Sequence, residues 1–142
     1  ALHHLKDIAR SELSYDRPLM EDARFRDRIA QVELELMALE ITNMRVLSAE
    51  KEKKAPGPEA SILKIKGSEI QQAIAELQMQ ALGHYALPWL PEALDAAWTG
   101  VPVGADYVTP LSGHYFNYRK TTIYGGSNEI QKNIIAQMIL GL

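Results

Sequence analysis

The sequence predicts an all-α fold, an up-down four-helix bundle with a long irregular connection before its last helix. Apolar residues recur at steps of three and four in four separate segments, the period of one helix face. No segment sustains the alternation of a half-buried strand, and prolines and glycines cluster between the periodic segments. There is no internal repeat and no low-complexity tract.

The first segment carries Leu2, Leu5, Ile8, Ala9 and Leu13 at helical spacing, and predicts a short amphipathic helix over residues 2–13. Ser14 to Asp16 followed by Arg17-Pro18 reads as a break, because proline disfavours helix in the residue before it. The second segment is the strongest helical signal. Phe25, Ile29, Val32, Leu36 and Leu39 form one stripe, and Ala30, Leu34, Met37, Ile41 and Met44 form a parallel one. Two stripes make an apolar face wide enough for two neighbouring helices, which predicts that Met37 and Met44 are core. The segment runs out in the charges of Glu50 to Lys54, read as a solvated helix end, and Pro56-Gly57-Pro58 stops it.

A third helix follows from Leu63, Gly67, Ile70, Ile74, Leu77 and Ala81, with Gly83 just past its end. Gly67 within that stripe costs about 1 kcal/mol of helix propensity relative to Ala, which a close helix–helix approach or plain tolerance would account for. From His84 to Thr122 the periodicity fails. Four prolines and three glycines predict an irregular stretch with a short helix near Glu92–Trp98, and its aromatic residues predict that it packs on its own side chains. The last helix is expected from Asn128 to Leu140, with Asn128 and Gln131 spaced as a capping box.

Composition narrows the function. One domain with a real core fits 142 residues, of which 46% are hydrophobic and 23% charged. A net charge of -3 without a basic patch argues against nucleic acid as the partner. The absence of cysteine excludes disulfides, zinc–thiolate sites and thiol catalysis, and a cytoplasmic setting is expected. No apolar run approaches the roughly 18 residues of a membrane span. His3-His4, His84 and His114 lack metal-ligand spacing with acidic partners.

The run Tyr124-Gly-Gly-Ser-Asn-Glu-Ile-Gln131, followed by Lys132-Asn-Ile-Ile-Ala136 and Leu140-Gly-Leu142, resembles the terminal signature of the acyl-CoA dehydrogenase family. Gln80-Ala81-Leu82-Gly83 is similar to the start of the family's Gln-x-Leu-Gly-Gly-x-Gly motif. Within the family, Ser61 to Glu69 and Tyr115 to Lys120 look most like the large subunits of pimeloyl-CoA dehydrogenases. The resemblance covers the whole chain. It implies the C-terminal helical domain of a longer flavoenzyme with a truncated first helix, since the chain opens Ala1-Leu2-His3-His4.

The family's reaction takes the proton α to an acyl-CoA thioester and passes the β hydrogen to FAD as hydride. Protein groups supply a carboxylate base, donors to the thioester oxygen and contacts to the flavin. By resemblance Gly126 lies beside the thioester and Tyr124 along the substrate channel. Ser127 and Glu129 contact the chain's own FAD, and Gln80 and Gly83 belong to a motif lent to a neighbour's FAD. Glycines permit close backbone approach, and a helix N-terminus offers N–H groups and a positive dipole end. Ser127 also reads as a simple N-cap. An electron-transferring flavoprotein or similar acceptor and a homo- or hetero-oligomer are implied as partners.

The departures from the family pattern are as informative. Many members carry Glu directly after the motif tyrosine, where this chain has Gly125, so no catalytic base is expected within these residues. Glu12 and Glu129 are the nearest acidic substitutes. Where the family has Arg-x-x-Phe-Gly, holding the neighbour's FAD pyrophosphate, Glu12, Tyr15 and Asp16 stand here. The Gly-Gly-x-Gly portion reads Gly83-His84-Tyr85-Ala86. A carboxylate in place of a guanidinium reverses the charge offered to a pyrophosphate. The elements lent to a partner are thus altered while those serving the chain's own flavin are kept. This implies a heteromeric enzyme, unless Arg10 or Arg17 reaches the pyrophosphate. A non-catalytic assembly subunit and a flavin oxidase or monooxygenase are the alternatives.

Overall fold

The structure, a computed structural model, describes residues 1–51 (without the Glu50 side chain) and 57–142. The described residues form an all-α fold of five helices: α1 (Leu2–Ser11), α2 (Ala23–Lys51), α3 (Glu59–Leu82), α4 (Val108–Tyr118) and α5 (Asn128–Leu140). Two compact units divide them, Ala1–Ala30 with Gln72–Arg119, and Gln31–Gln71 with Lys120–Leu142.

The first unit holds most of the apolar core. Leu5, Ile8 and Ala9 of α1, Phe25 and Ile29 of α2, and Ile74, Leu77 and Leu82 of α3 are all buried. The helical spacing of these residues puts each set on one face of its helix. Asp22 starts α2 by accepting from the Phe25 amide at 2.9 Å, an N-cap in the position its short carboxylate favours. Between α1 and α2 the expected break is a tight hairpin. β1 (Leu13–Ser14) pairs antiparallel with β2 (Arg17–Pro18), Leu13 opposite Pro18 and Ser14 opposite Arg17. Tyr15 and Asp16 at its tip take φ of 51° and 60°. A two-residue turn needs that backbone to match the strand twist, and no period-2 pattern can announce strands so short.

The stretch after α3 is more ordered than its composition predicts. α4 carries Pro110 as its third residue, where the missing N–H would have had no intrahelical partner. The Gln72 amide donates to the Tyr118 and Arg119 carbonyls at 3.1 and 3.2 Å, satisfying acceptors at the end of α4. The helix expected near Glu92–Trp98 is a single 3-10 turn, Pro91–Leu94. The expectation that this stretch packs on its own aromatics holds only in part. Tyr85, Leu87, Trp89 and Phe116 are exposed, while Tyr107 reaches back to α1 and its OH donates to Glu12 Oε1 at 2.5 Å. Burial, then the Glu12 carboxylate, push the Tyr107 phenol above its ordinary range.

The second unit has a thinner apolar centre and a polar one beside it. Val32, Ile65 and Ile70 are its buried apolar residues, while Ser61, Ser68, Thr121 and Asn128 are buried polar ones. The second stripe of α2 does not join this core. Leu34, Met37, Ile41 and Met44 are 62%, 54%, 56% and 60% exposed, and Ala30 is exposed too. A periodic face states that a surface is apolar and not which molecule covers it. Nor does Gly67 mark a tight approach. A Cβ there would meet Leu39 at 3.9 Å, an ordinary contact, so the tolerated reading stands. The charged run-out of α2 and the Pro56 stop fall largely outside the described residues, except Lys51, which is the last residue of α2 and exposed.

Candidate cofactor and substrate wall

The Tyr124–Gln131 segment builds a sharp turn into α5. The Ile123 and Tyr124 amides close back on the Lys120 carbonyl at 2.9 and 3.3 Å, and the chain then turns through Gly125 and Gly126 with φ of 67° and 86°. Two successive residues in the left-handed region are a glycine requirement, since any Cβ there is strained. Ser127 follows in extended backbone and caps α5, accepting from the Ile130 amide at 3.4 Å. The cap is therefore Ser127 and not the capping box expected at Asn128. Gln131 does reach back, but donates to the Gly125 carbonyl at 3.2 Å and so braces the turn.

Asn128, released from capping, points inward. Its side-chain oxygen accepts from Lys64 Nζ at 2.8 Å and lies 3.4 Å from Ser68 Oγ, which itself donates to the Ile65 carbonyl at 2.8 Å. These three residues tie α5 to α3 beneath the double-glycine turn. Beside them lies a cavity of about 280 Å³, walled by Lys64, Ser68 and Gln71 of α3 and by Thr121, Tyr124 and Gly125. Sequence periodicity missed this cluster. Lys64 and Ser68 are four apart on the shoulder of the α3 apolar stripe, a spacing that puts them on one face, yet nothing in sequence says that the face meets Asn128.

Tyr124, Gly125, Gly126 and Glu129 are exposed and Ser127 is half-buried, so the predicted flavin and substrate residues share one accessible surface within the second unit. Glu129 sits in the first turn of α5. Its own backbone amide, then the Ser127 side chain, hold its carboxyl below the usual carboxylate range. Gly125, where the sequence reading expects no catalytic base, presents only backbone.

Gln80 and Gly83 belong to the first unit. Gly83 adopts φ of 55° directly after α3, the helix end read from sequence, with open space around it. The Gln80 amide is engaged within the chain, accepting from Arg28 and donating to Glu76 at 3.2 Å. Arg10 is paired with Asp7 at 2.8 Å, and Arg17 is exposed on β2. Among the described residues no cluster of three His, Asp or Glu could hold a metal, and no helix is long and apolar enough to cross a membrane.

The chain is 28% identical over 141 residues to the acyl-CoA dehydrogenase IpdE1 of Mycobacterium tuberculosis, covering 99% of this chain and 31% of that protein. It is 28% identical over 142 residues to the human mitochondrial short-chain specific acyl-CoA dehydrogenase, covering 99% and 30%. The FAD complex of PigA superposes with a TM-score of 0.75 at 20% identity, over 99% of this chain and 32% of that one, a likeness of fold. The chain thus spans about a third of the length of the proteins it matches. The acyl-CoA dehydrogenase C-terminal domain family matches residues 1–140, the double-glycine turn and its capped helix included, and this chain belongs to that family.

Proposed function

We propose that these residues form one wall of the flavin and acyl pocket of an FAD-dependent acyl-CoA dehydrogenase, which oxidises an acyl-CoA thioester to the 2,3-enoyl-CoA. The observation that carries the reading is the exposed double-glycine turn standing directly before a Ser-capped helix N-terminus. The Gly126 backbone can approach a thioester closely because no side chain intervenes, and Tyr124 flanks it. When bound, the flavin supplies the acceptor for the β hydride.

The chemistry of the α5 N-terminus bears on how FAD would be held. The Ser127 hydroxyl and the Glu129 carboxylate already occupy its first amides. An ionised carboxylate repels phosphate but accepts from hydroxyls. The donor and acceptor set therefore fits the hydroxyl-bearing ribityl or ribose part of the cofactor, with Ser127 and Glu129 as the contacts.

Residue 125 cannot act as base, so the α proton goes to a carboxylate outside this turn. The side chain of Glu12 is engaged by Tyr107, and Glu129 lies on the capped helix end. The altered partner contacts favour a heteromeric enzyme. Glu12 is turned to its own chain, Arg10 is paired and Gln80 is engaged, so a contact from Arg17 to a neighbour's pyrophosphate is what would undo this reading. The exposed α2 stripe supports an oligomer interface, and an electron-transferring flavoprotein is the kind of acceptor expected. The pimeloyl-CoA subgroup remains the sequence-based assignment of the acyl class.

The test is anaerobic flavin bleaching by acyl-CoA in the flavoenzyme that carries this domain. Gly126→Ala is expected to slow thioester-dependent reduction by about 100-fold, the scale of one oxyanion contact, because a Cβ at φ of 86° meets Gln131 Nε2 at 2.5 Å and shifts the backbone from the thioester, with FAD retained. Unchanged reduction in that variant would remove Gly126 from the site. Flavin reduction that ignores the thioester would favour the oxidase alternative.

A further inference from the structure

The cavity beneath the double-glycine turn has a chemical character of its own. Among the described residues, Lys64 is the one charged group on its wall, and no carboxylate lines it. The lysine is fixed by a neutral partner, the amide oxygen of buried Asn128, which orients the ammonium without cancelling its charge. An ammonium has three donors, and this bond uses one of them. Gln71 and Ser68 add polar groups nearby, while Leu63 and the Tyr124 ring supply apolar wall. At about 280 Å³ the space lies at the small end of ligand pockets.

We propose that this cavity binds a carboxylate carried on a short aliphatic chain, with Lys64 as its counter-charge and Leu63 and Tyr124 against the methylenes. One fixed cation beside an apolar wall suits a monoanion with a hydrocarbon tail. A phosphate would call for several charged donors or a bidentate guanidinium, and no arginine is among the described residues of the wall. The field of Glu129, close enough to interact with Lys64, opposes a dianion more strongly than a monoanion. The carboxylate has two possible sources, a free acid or the far end of an acyl chain whose thioester lies at Gly126. The acyl-chain source rests on the proposed function above, whereas the site itself does not.

The test is a titration of the selectively labelled flavoenzyme that carries this domain, followed by the backbone amide resonances of Ser68, Gly125 and Gly126, at constant ionic strength. Butyrate is expected to shift the Ser68 and Gly125 signals saturably, and butanol, which keeps the tail without the charge, is not. Lys64→Gln should weaken butyrate by about ten-fold, the scale of one charge-assisted hydrogen bond. Lys64→Arg should keep binding within about three-fold if charge is what matters. Equal shifts from butanol, tighter binding of inorganic phosphate, or undiminished binding to Lys64→Gln would overturn the site. The butyrate and butanol comparison needs no variant, so a poorly folded Lys64→Gln leaves the proposal testable. Glutaryl-CoA that moves Gly126 as well, in a Lys64-dependent way, upholds the site with an acyl chain as source. Butyrate binding without a glutaryl-CoA effect upholds it with a free acid as source, and counts against the thioester placement alone.

Discussion

Removing the Tyr107 hydroxyl tests whether Glu12 has been taken out of cofactor binding and given to the fold. Tyr107 donates to Glu12 Oε1 at 2.5 Å across 95 positions of sequence, tying the Gly100–Asp106 stretch to the end of α1. A hydrogen bond to a charged acceptor contributes about 1.5–3 kcal/mol when buried. Both groups here are half-buried, so solvent competes and about 1 kcal/mol is the expected share. Tyr107→Phe keeps the ring against His4, whose centroid lies 6.1 Å away, and deletes the hydroxyl with its bond to Glu12 and its 3.2 Å contact with Ser11 Oγ, which the double-variant cycle separates. For a chain of this size the melting temperature should fall by about 3 °C. Urea unfolding of Tyr107→Phe, Glu12→Ala and the double variant closes the cycle, with an expected coupling of about 1 kcal/mol. Because the phenol titrates above its ordinary range in the folded chain, this stability is present below about pH 10 and lost as pH rises further. The Phe variant should lack that alkaline loss. Single-variant effects that add to within about 0.3 kcal/mol would refute the pairing.

Ser127→Ala should cost about 1 kcal/mol of stability through the lost α5 cap, read as a lower urea midpoint, and Ser127→Asn should restore most of it. Gly67→Ala should stabilise α3 by about 1 kcal/mol, because the added methyl meets only Leu39 at 3.9 Å; a loss on thermal melting would mean that the helices approach more closely than this. Met37→Lys on the exposed α2 stripe should change stability by less than about 0.5 kcal/mol. Ile29→Ala, at 1% exposure on the other stripe of the same helix, should cost about 2–5 kcal/mol in the same assay.

Much of this architecture was legible from residue order, because helix periodicity and turn chemistry are local. The Phe25–Ile29–Val32 stripe, the end of α3 at Gly83 and the entry to α5 near Asn128 follow from interactions within a few residues. The motif Tyr124 to Gln131 carried the family for the same reason, since two glycines before a capped helix form a local unit. α4 escaped notice because Pro110 and Gly113 read as breakers, although a proline in a first turn breaks nothing. The β1–β2 hairpin is too short to have a period at all.

What only the tertiary structure decided concerns partners distant in sequence. Two stripes on α2 are equally apolar, yet one is buried or half-buried and the other faces outward, because burial belongs to the neighbours and not to the helix. Glu12 reads in sequence only as a carboxylate where a guanidinium is usual, and the fold adds a bond from Tyr107 that no spacing announces. Asn128 looked like a cap, but Ser127 performs that task one residue earlier and frees Asn128 to orient Lys64 from 64 positions away. A sequence records which groups can bond, and the fold selects among their many possible partners by bringing a few within about 3 Å. The Gly125-Gly126 turn was thus readable as a tight turn before a helix, while the lysine-lined cavity beneath it came into being only when α3 and α5 met.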